Sequence, residues 1–253
     1  MSIARALAVF ACLAAAATPA AAQAAAPPDT RAVRPLGARS ALGTARLSDE
    51  QTITRLAGAV APALVRRRPS RAAPPVARLR YVTEDGPLES YLVLESLVDK
   101  AGLTWLRIRI PGRPNGRTGW VHRDDLGPLS TVTTLLRVDR RALRATLYRG
   151  GRRIWSSRVG VGKPATPTPA GHFWIRTRLR ALGGGTIYGP WAFGTAAYSV
   201  LSDWPGGGVV GIHGTNEPAL IPGRPSHGCV RVPNDRIRRL ARLMPVGTPV
   251  DIE

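Results

Sequence analysis

Glycine and proline constrain this chain more than any other feature. The 253 residues include 27 glycines and 23 prolines, and they punctuate the sequence from about Val76 to Asn234. The segments between them are short, and many alternate in polarity. Leu106, Ile108 and Ile110 fall on one face of Thr104-Trp105-Leu106-Arg107-Ile108-Arg109-Ile110. Pro111 to Gly116 is a turn containing the Asn-Gly hairpin signal, and Gly119-Trp120-Val121 returns as a strand. Tyr91-Leu92-Val93-Leu94 is a further strand. Later, Leu136 and Val138 alternate, then Leu143, Ala145 and Leu147. After a turn at Gly150-Gly151, Trp155, Ser157, Val159 and Val161 share one face. A period of two bounded by turn residues predicts a mainly β protein of short strands.

One helix stands out in the C-terminal half, from Asp235 to about Met244. Ile237, Leu240, Ala241 and Met244 form its apolar stripe, Asn234 is placed to cap it, and Pro245 stops it. A second, short helix to about Ala61 is expected after Ser48-Asp49-Glu50-Gln51, which has the capping-box spacing, with Ile53, Leu56 and Val60 at helical intervals. Met1–Ala24 has the form of a secretory signal peptide: Arg5, an apolar stretch Ala6–Ala17, then small residues. That stretch is shorter than the ~20 residues that span a bilayer. The expected organisation is a signal at 1–24, an Ala/Pro/Arg-rich tether with the short helix at 25–75, a small β-module at 76–129 and a second domain at 131–253. The expected location is the cell envelope, outside the cytoplasm.

The formal net charge is +20, and all but two of the basic residues are arginine. The basic residues do not cluster on one element and no nucleic-acid motif is present, so a nucleic-acid partner is not expected. Anionic cell-wall polymers remain compatible with the charge. Gly160-Val161-Gly162-Lys163 is not a phosphate loop, because Pro164 stands where Ser or Thr is required. Gly183-Gly184-Gly185 reads as a mobile loop.

Chemistry concentrates in Ile212-His213-Gly214-Thr215 and Pro225-Ser226-His227-Gly228-Cys229-Val230-Arg231. Removal of the signal takes Cys12 away and leaves Cys229 as a lone thiol in an oxidising compartment. In an extended segment His227 and Cys229 point to the same side. Gly228 lets a substrate approach the backbone, and the N–H groups of Gly228 and Cys229 could form an oxyanion hole. A thiol with the reference pKa of ~8.5 needs a base at neutral pH, and His213 or His227 could serve. Against this stands a buried, inert cysteine. A metal site lacks a fourth ligand at suitable spacing. His122 and His172 lie outside the cluster.

His213-Gly214-Thr215 followed by Ser226-His227-Gly228-Cys229-Val230-Arg231 resembles the signature of the L,D-transpeptidases with a YkuD-type catalytic domain. The resemblance covers roughly Thr131 to Ile252. It extends to Thr166-Pro167-Thr168-Pro169-Ala170-Gly171 with Phe173, and to Gly247-Thr248-Pro249-Val250. It implies a β-sandwich-like catalytic domain without cofactor or metal. Its substrates would be peptidoglycan stem peptides, a donor tetrapeptide and an acceptor amine. Cys229 would be the nucleophile and His213 the base and acid, with the Gly214 carbonyl orienting the His213 ring. Thr215, Ser226, His227 and Arg231 would line the site. Carbapenem-type β-lactams would be covalent inhibitors, and water as acceptor would give carboxypeptidase activity. Trp105 to Val121, with its Gly-Trp-Val ending, resembles a bacterial SH3-like barrel. The alternative is a non-catalytic peptidoglycan-binding protein.

Overall fold

The computed structural model describes residues 43–180, 186–203 and 205–253. The expected signal peptide, the first part of the expected tether, Cys12 and the glycine run 183–185 lie outside the described residues. Eight short strands make the first sheet: β1 (Thr44–Arg46), β2 (Thr54–Ala57), β3 (Leu64–Arg66), β4 (Pro75–Arg78), β5 (Tyr91–Val98), β6 (Thr104–Arg109), β7 (Thr118–His122) and β8 (Ser130–Val132). Their order is β4-β3-β7-β6-β5-β2-β8, with β1 also on β5. The Asn-Gly turn joins β6 to β7 as its spacing predicts, with Leu106 opposite Val121.

Two expectations fail here. The short helix after Ser48 does not form. Thr54–Ala57 is instead strand β2, wedged between β5 and β8. The capping-box residues make a turn: Asp49 Oδ1 accepts the amides of Gln51, Thr52 and Ile53 at 2.7–2.8 Å. Ser48 Oγ donates to the Val93 carbonyl of β5 rather than facing a helix. A side chain that satisfies three successive amides competes with the helix it was expected to start. Sheet partners on both sides of residues 54–57 then decide the matter. The arginine-rich stretch from Arg66 to Pro75 is likewise no open linker. It is the loop of an antiparallel hairpin, with Leu64 opposite Arg78 and Val65 opposite Ala77. The first sheet therefore begins well upstream of residue 76.

The second sheet has ten strands: β9 (Thr134–Asp139), β10 (Arg144–Arg149), β11 (Arg152–Arg158), β12 (Gly160–Gly162), β13 (Gly171–Arg180), β14 (Trp191–Tyr198), β15 (Val209–His213), β16 (Gly223–Ser226), β17 (Val230–Arg231) and β18 (Pro249–Ile252). Their order is β11-β10-β9-β18-β13-β14-β15-β17-β12-β16. The predicted helix is present as α1 (Asn234–Leu243), the single α-helix among the described residues. Its Ile237, Leu240 and Ala241 are buried.

The main apolar core lies inside the second domain, around Trp174, Phe193, Ile212 and Leu240. Leu56 and Leu92 of the first domain belong to the same cluster. Gly247 takes φ +88°, and a side chain there would run into Leu56 Cδ1. Each such buried leucine contributes about 1.5–3 kcal/mol of burial, so the two domains stabilise each other.

Candidate active site

Parallel pairing of β15 with β17 builds the centre of the site. Ile212 lies opposite Val230 and His213 opposite Arg231, which brings Gly211 of β15 and Cys229, the residue just before β17, side by side. The Gly211 N–H donates to Cys229 Sγ at 3.3 Å. His213 is two residues beyond Gly211 and so shares its face of β15. The space above the Gly211 Cα lies 3.5 Å from His213 Cδ2 and 3.7 Å from Cys229 Sγ. Thiol and imidazole thus sit over the same glycine.

The ring of His213 is buried and has one orientation fixed. Its Nδ1 is 2.6 Å from the Gly214 carbonyl. A carbonyl can only accept, so Nδ1 carries the proton and Nε2 of the neutral ring keeps its lone pair. Tyr188 packs edge-on against the ring, with centroids 4.9 Å apart. Burial lowers the His213 pKa to about 4; the Gly214 hydrogen bond opposes the shift and the Arg231 charge adds to it. Burial pushes the Cys229 thiol up, against the Gly211 N–H and Arg231. The two groups are therefore neutral together at pH 7, and a proton has to move before sulfur can attack.

The backbone around them is tied by side chains from distant segments. Asn234 does not cap α1, whose N-cap is Pro233 without a side-chain bond. The amide of Asn234 faces the other way and engages both main-chain groups of Thr215: Oδ1 accepts the N–H at 2.9 Å and Nδ2 donates to the carbonyl at 2.8 Å. Gly214 and Gly189 make room for it, since a side chain on either would collide with Asn234 Oδ1. Ser226 Oγ donates to the Cys229 carbonyl at 2.6 Å and accepts the Gly228 N–H at 3.2 Å. Thr168 Oγ1 accepts from the Gly162 N–H and donates to the Gly228 carbonyl at 2.8 Å. Gly228 itself takes φ +127°, a conformation closed to most side chains.

The remaining sequence candidates separate. Arg231 donates to Glu217 at 2.6 Å, so its guanidinium braces the 215–225 wall. The side chain of His227 is exposed, and its pKa is lowered by burial, Lys163 and Arg231. His172 pairs with Asp251 at 3.1 Å and His122 approaches Asp124, both away from the thiol cluster. Period-two counting back from His213 could have found Gly211. No linear spacing connects Asn234 to Thr215 or Thr168 to Gly228.

Residues 133–252 match the family model described as the L,D-transpeptidase catalytic domain, YkuD. YkuD of Bacillus subtilis, which carries the L,D-transpeptidase name, is 39% identical over 94 residues, 37% of this chain and 50% of that protein. Its counterpart in Bacillus licheniformis is 37% identical over 106 residues, 42% of this chain and 57% of that protein. The chain spans about half the length of the curated relatives it matches. Among solved structures, the catalytic domain of the Enterococcus faecium L,D-transpeptidase is 28% identical over 47% of this chain and 96% of that chain, with a TM-score of 0.35. By sequence, residues 133–252 are therefore similar to the L,D-transpeptidase catalytic domain of the YkuD type.

Proposed function

We propose that the chain cross-links peptidoglycan stem peptides by acyl transfer through Cys229. The observation that carries this reading is the seating of Cys229 Sγ and the His213 ring over Gly211, with Nδ1 locked on the Gly214 carbonyl. That lock leaves Nε2 as the proton acceptor. In the first half-reaction the Cys229 proton passes to Nε2 while sulfur attacks the carbonyl carbon of the third residue of a donor tetrapeptide. The carbonyl becomes an oxyanion. The C–N bond to the terminal D-alanine then breaks, its amine takes the proton from His213, and a thioester remains.

In the second half an amine from a neighbouring stem gives its proton to His213 and attacks the thioester. The C–S bond breaks, the thiolate recovers the proton, and a bond between third residues of two stems is formed. Water in place of the amine makes the reaction a carboxypeptidase. The Gly228 N–H is already held by Ser226 Oγ, so the Cys229 N–H is the first oxyanion donor and the Gly228 N–H joins only by leaving Ser226. Thr215, held on both sides by Asn234, fixes one wall; Ser226, His227 and Arg231 border the other. The first domain is SH3-like in this reading, supported by the β6–β7 hairpin and its Gly119-Trp120-Val121 ending. The protein works in the envelope, where the amino-terminal signal pattern and its net charge of +20 suit an anionic wall.

The test is intact-mass spectrometry after exposure to a carbapenem, together with product analysis on a defined tetrapeptide donor. One adduct, absent from Cys229→Ala, and a D-alanine-releasing transfer product are expected. A folded protein that forms neither would return the chain to the non-catalytic wall-binding reading.

A further inference from the structure

The loop carrying Cys229 is held from outside at two consecutive carbonyls. Thr168 Oγ1 takes that of Gly228, and Ser199 Oγ donates to that of His227 at 3.1 Å. Ser199 is buried at the end of β14. Its N–H donates to the Gly208 carbonyl of its own domain at 2.8 Å, and its carbonyl is held by the first domain. Arg113, in the turn between β6 and β7, reaches across: Nε and Nη2 donate to the Ser199 carbonyl at 3.2 and 2.8 Å. Nη2 also donates to the Leu201 carbonyl at 2.9 Å, and Nη1 to that of Gly207 at 2.9 Å. The guanidinium lies 5.1 Å from the centre of the Tyr198 ring.

Asn115, two residues on, pairs with the Tyr198 backbone in both directions, at 2.9 and 3.0 Å. Gly208 takes φ +78°, and a side chain there would collide with the Leu201 carbonyl as well as with Arg113 Nη2. A fork of N–H donors fixes carbonyls in a plane as a single ammonium cannot.

We propose that Arg113 and Asn115 are positioning residues for the thiol. They hold Tyr198–Leu201, Ser199 holds the His227 carbonyl, and the geometry of the Cys229 loop is set by a turn of the other domain. This rests on Cys229 being the nucleophile, but one of its tests does not.

The full chain is compared with Arg113→Ala, Asn115→Ala, Ser199→Ala and the double variant Arg113→Ala/Ser199→Ala. Hydrogen–deuterium exchange of the 227–232 amides is expected to rise severalfold in Arg113→Ala and in Ser199→Ala. Carbapenem acylation of Cys229 is expected to slow about tenfold in each, with kcat on the peptide donor falling and KM held. The double variant is expected to lose little more than the worse single one, as for two links of one chain. Unchanged exchange at 227–232 in a folded Arg113→Ala overturns the proposal, as does strict additivity in the double variant. Asn115→Ala gives the same readings more mildly if Arg113→Ala does not fold. A wild-type chain that forms no adduct, in a set of variants that still shows the exchange effect, would keep the relay and remove the acyl-transfer reading instead.

Discussion

Two buried clusters of titratable groups among the described residues are buried by opposite rules. At the domain junction, Arg176 of β13 is almost fully enclosed with Glu89, which has no side-chain exposure. Arg176 Nε donates to Glu89 Oε1 at 3.0 Å, and Nη2 pairs with both Glu89 and Glu84. Tyr198 OH donates to Glu84 at 2.6 Å and accepts from Arg176 Nη1 at 3.2 Å. Burial works against the Arg176 charge, yet the hydrogen bonds and charge of Glu89 hold it on, above the usual arginine range. Burial likewise raises Glu84, but the Tyr198 hydroxyl, the backbone amide of Glu84, Arg176 and Arg80 bring it down to about 2. At the thiol burial outweighs Arg231, the cation that acts on both groups: it opposes the rise at Cys229 and adds to the fall at His213. Paired charges survive burial as charges; unpaired ones are pushed to neutrality. The junction keeps its charges, whereas burial leaves the thiol and the imidazole uncharged.

The largest effects are expected where the comparison is broken at the thiol. Cys229→Ala should abolish acylation, and His213→Ala should lower it by about 10²–10⁴-fold while the melting transition survives. Retention of full rate in folded His213→Ala would move the base to His227. At the junction, Arg176→Met removes the buried one of the two cations that Glu89 and Glu84 share and leaves them Arg80, at 3.4 and 3.0 Å. It should cost about 3–5 kcal/mol in urea unfolding, and a loss under about 1 kcal/mol would mean that the carboxylates find other partners.

Acid sharpens the contrast. In the unfolded chain His213 takes a proton near its ordinary value of 6.5, but in the fold only near 4. Stability should therefore fall as the pH drops from 6.5 toward about 4. Below 4.5 the Glu84 contribution, present above that value, is lost as well toward about 2. A melting temperature flat between pH 6.5 and about 4 in wild type would contradict the buried neutral imidazole. His213→Gln should flatten the upper part of that slope. Asn234→Ala should have the smallest effect, about 1–3 kcal/mol for two lost bonds to the Thr215 backbone, with kcat falling along with it because that wall loosens.

Much of the architecture is legible in residue order. Alternation at Leu106, Ile108 and Ile110 marks β6, and the stripe Ile237, Leu240, Ala241 marks α1, because each period reports one buried face. The helix expected within Ser48–Ala61 fails for a reason that local pattern does not contain. Leu56 is buried by an apolar cluster of the other domain, and residues 54–57 take their hydrogen bonds from β5 and β8. Asn234 stands where a helix cap would stand, yet its amide is used on Thr215, nineteen positions back in the chain. Side-chain to backbone bonds of this kind leave no periodic trace.

Residue type and spacing alone determined that the chain would be a set of short strands, and that an imidazole and a thiol stand in two short runs, at His213 and within Ser226–Arg231. Both are local properties. Only the tertiary structure decided the charge state of that chemistry and the partners that hold it. Burial, the parallel pairing that sets Cys229 beside Gly211, and the reach of Arg113 into the neighbouring domain each depend on distances between residues far apart in the chain, and no one-dimensional pattern carries those distances.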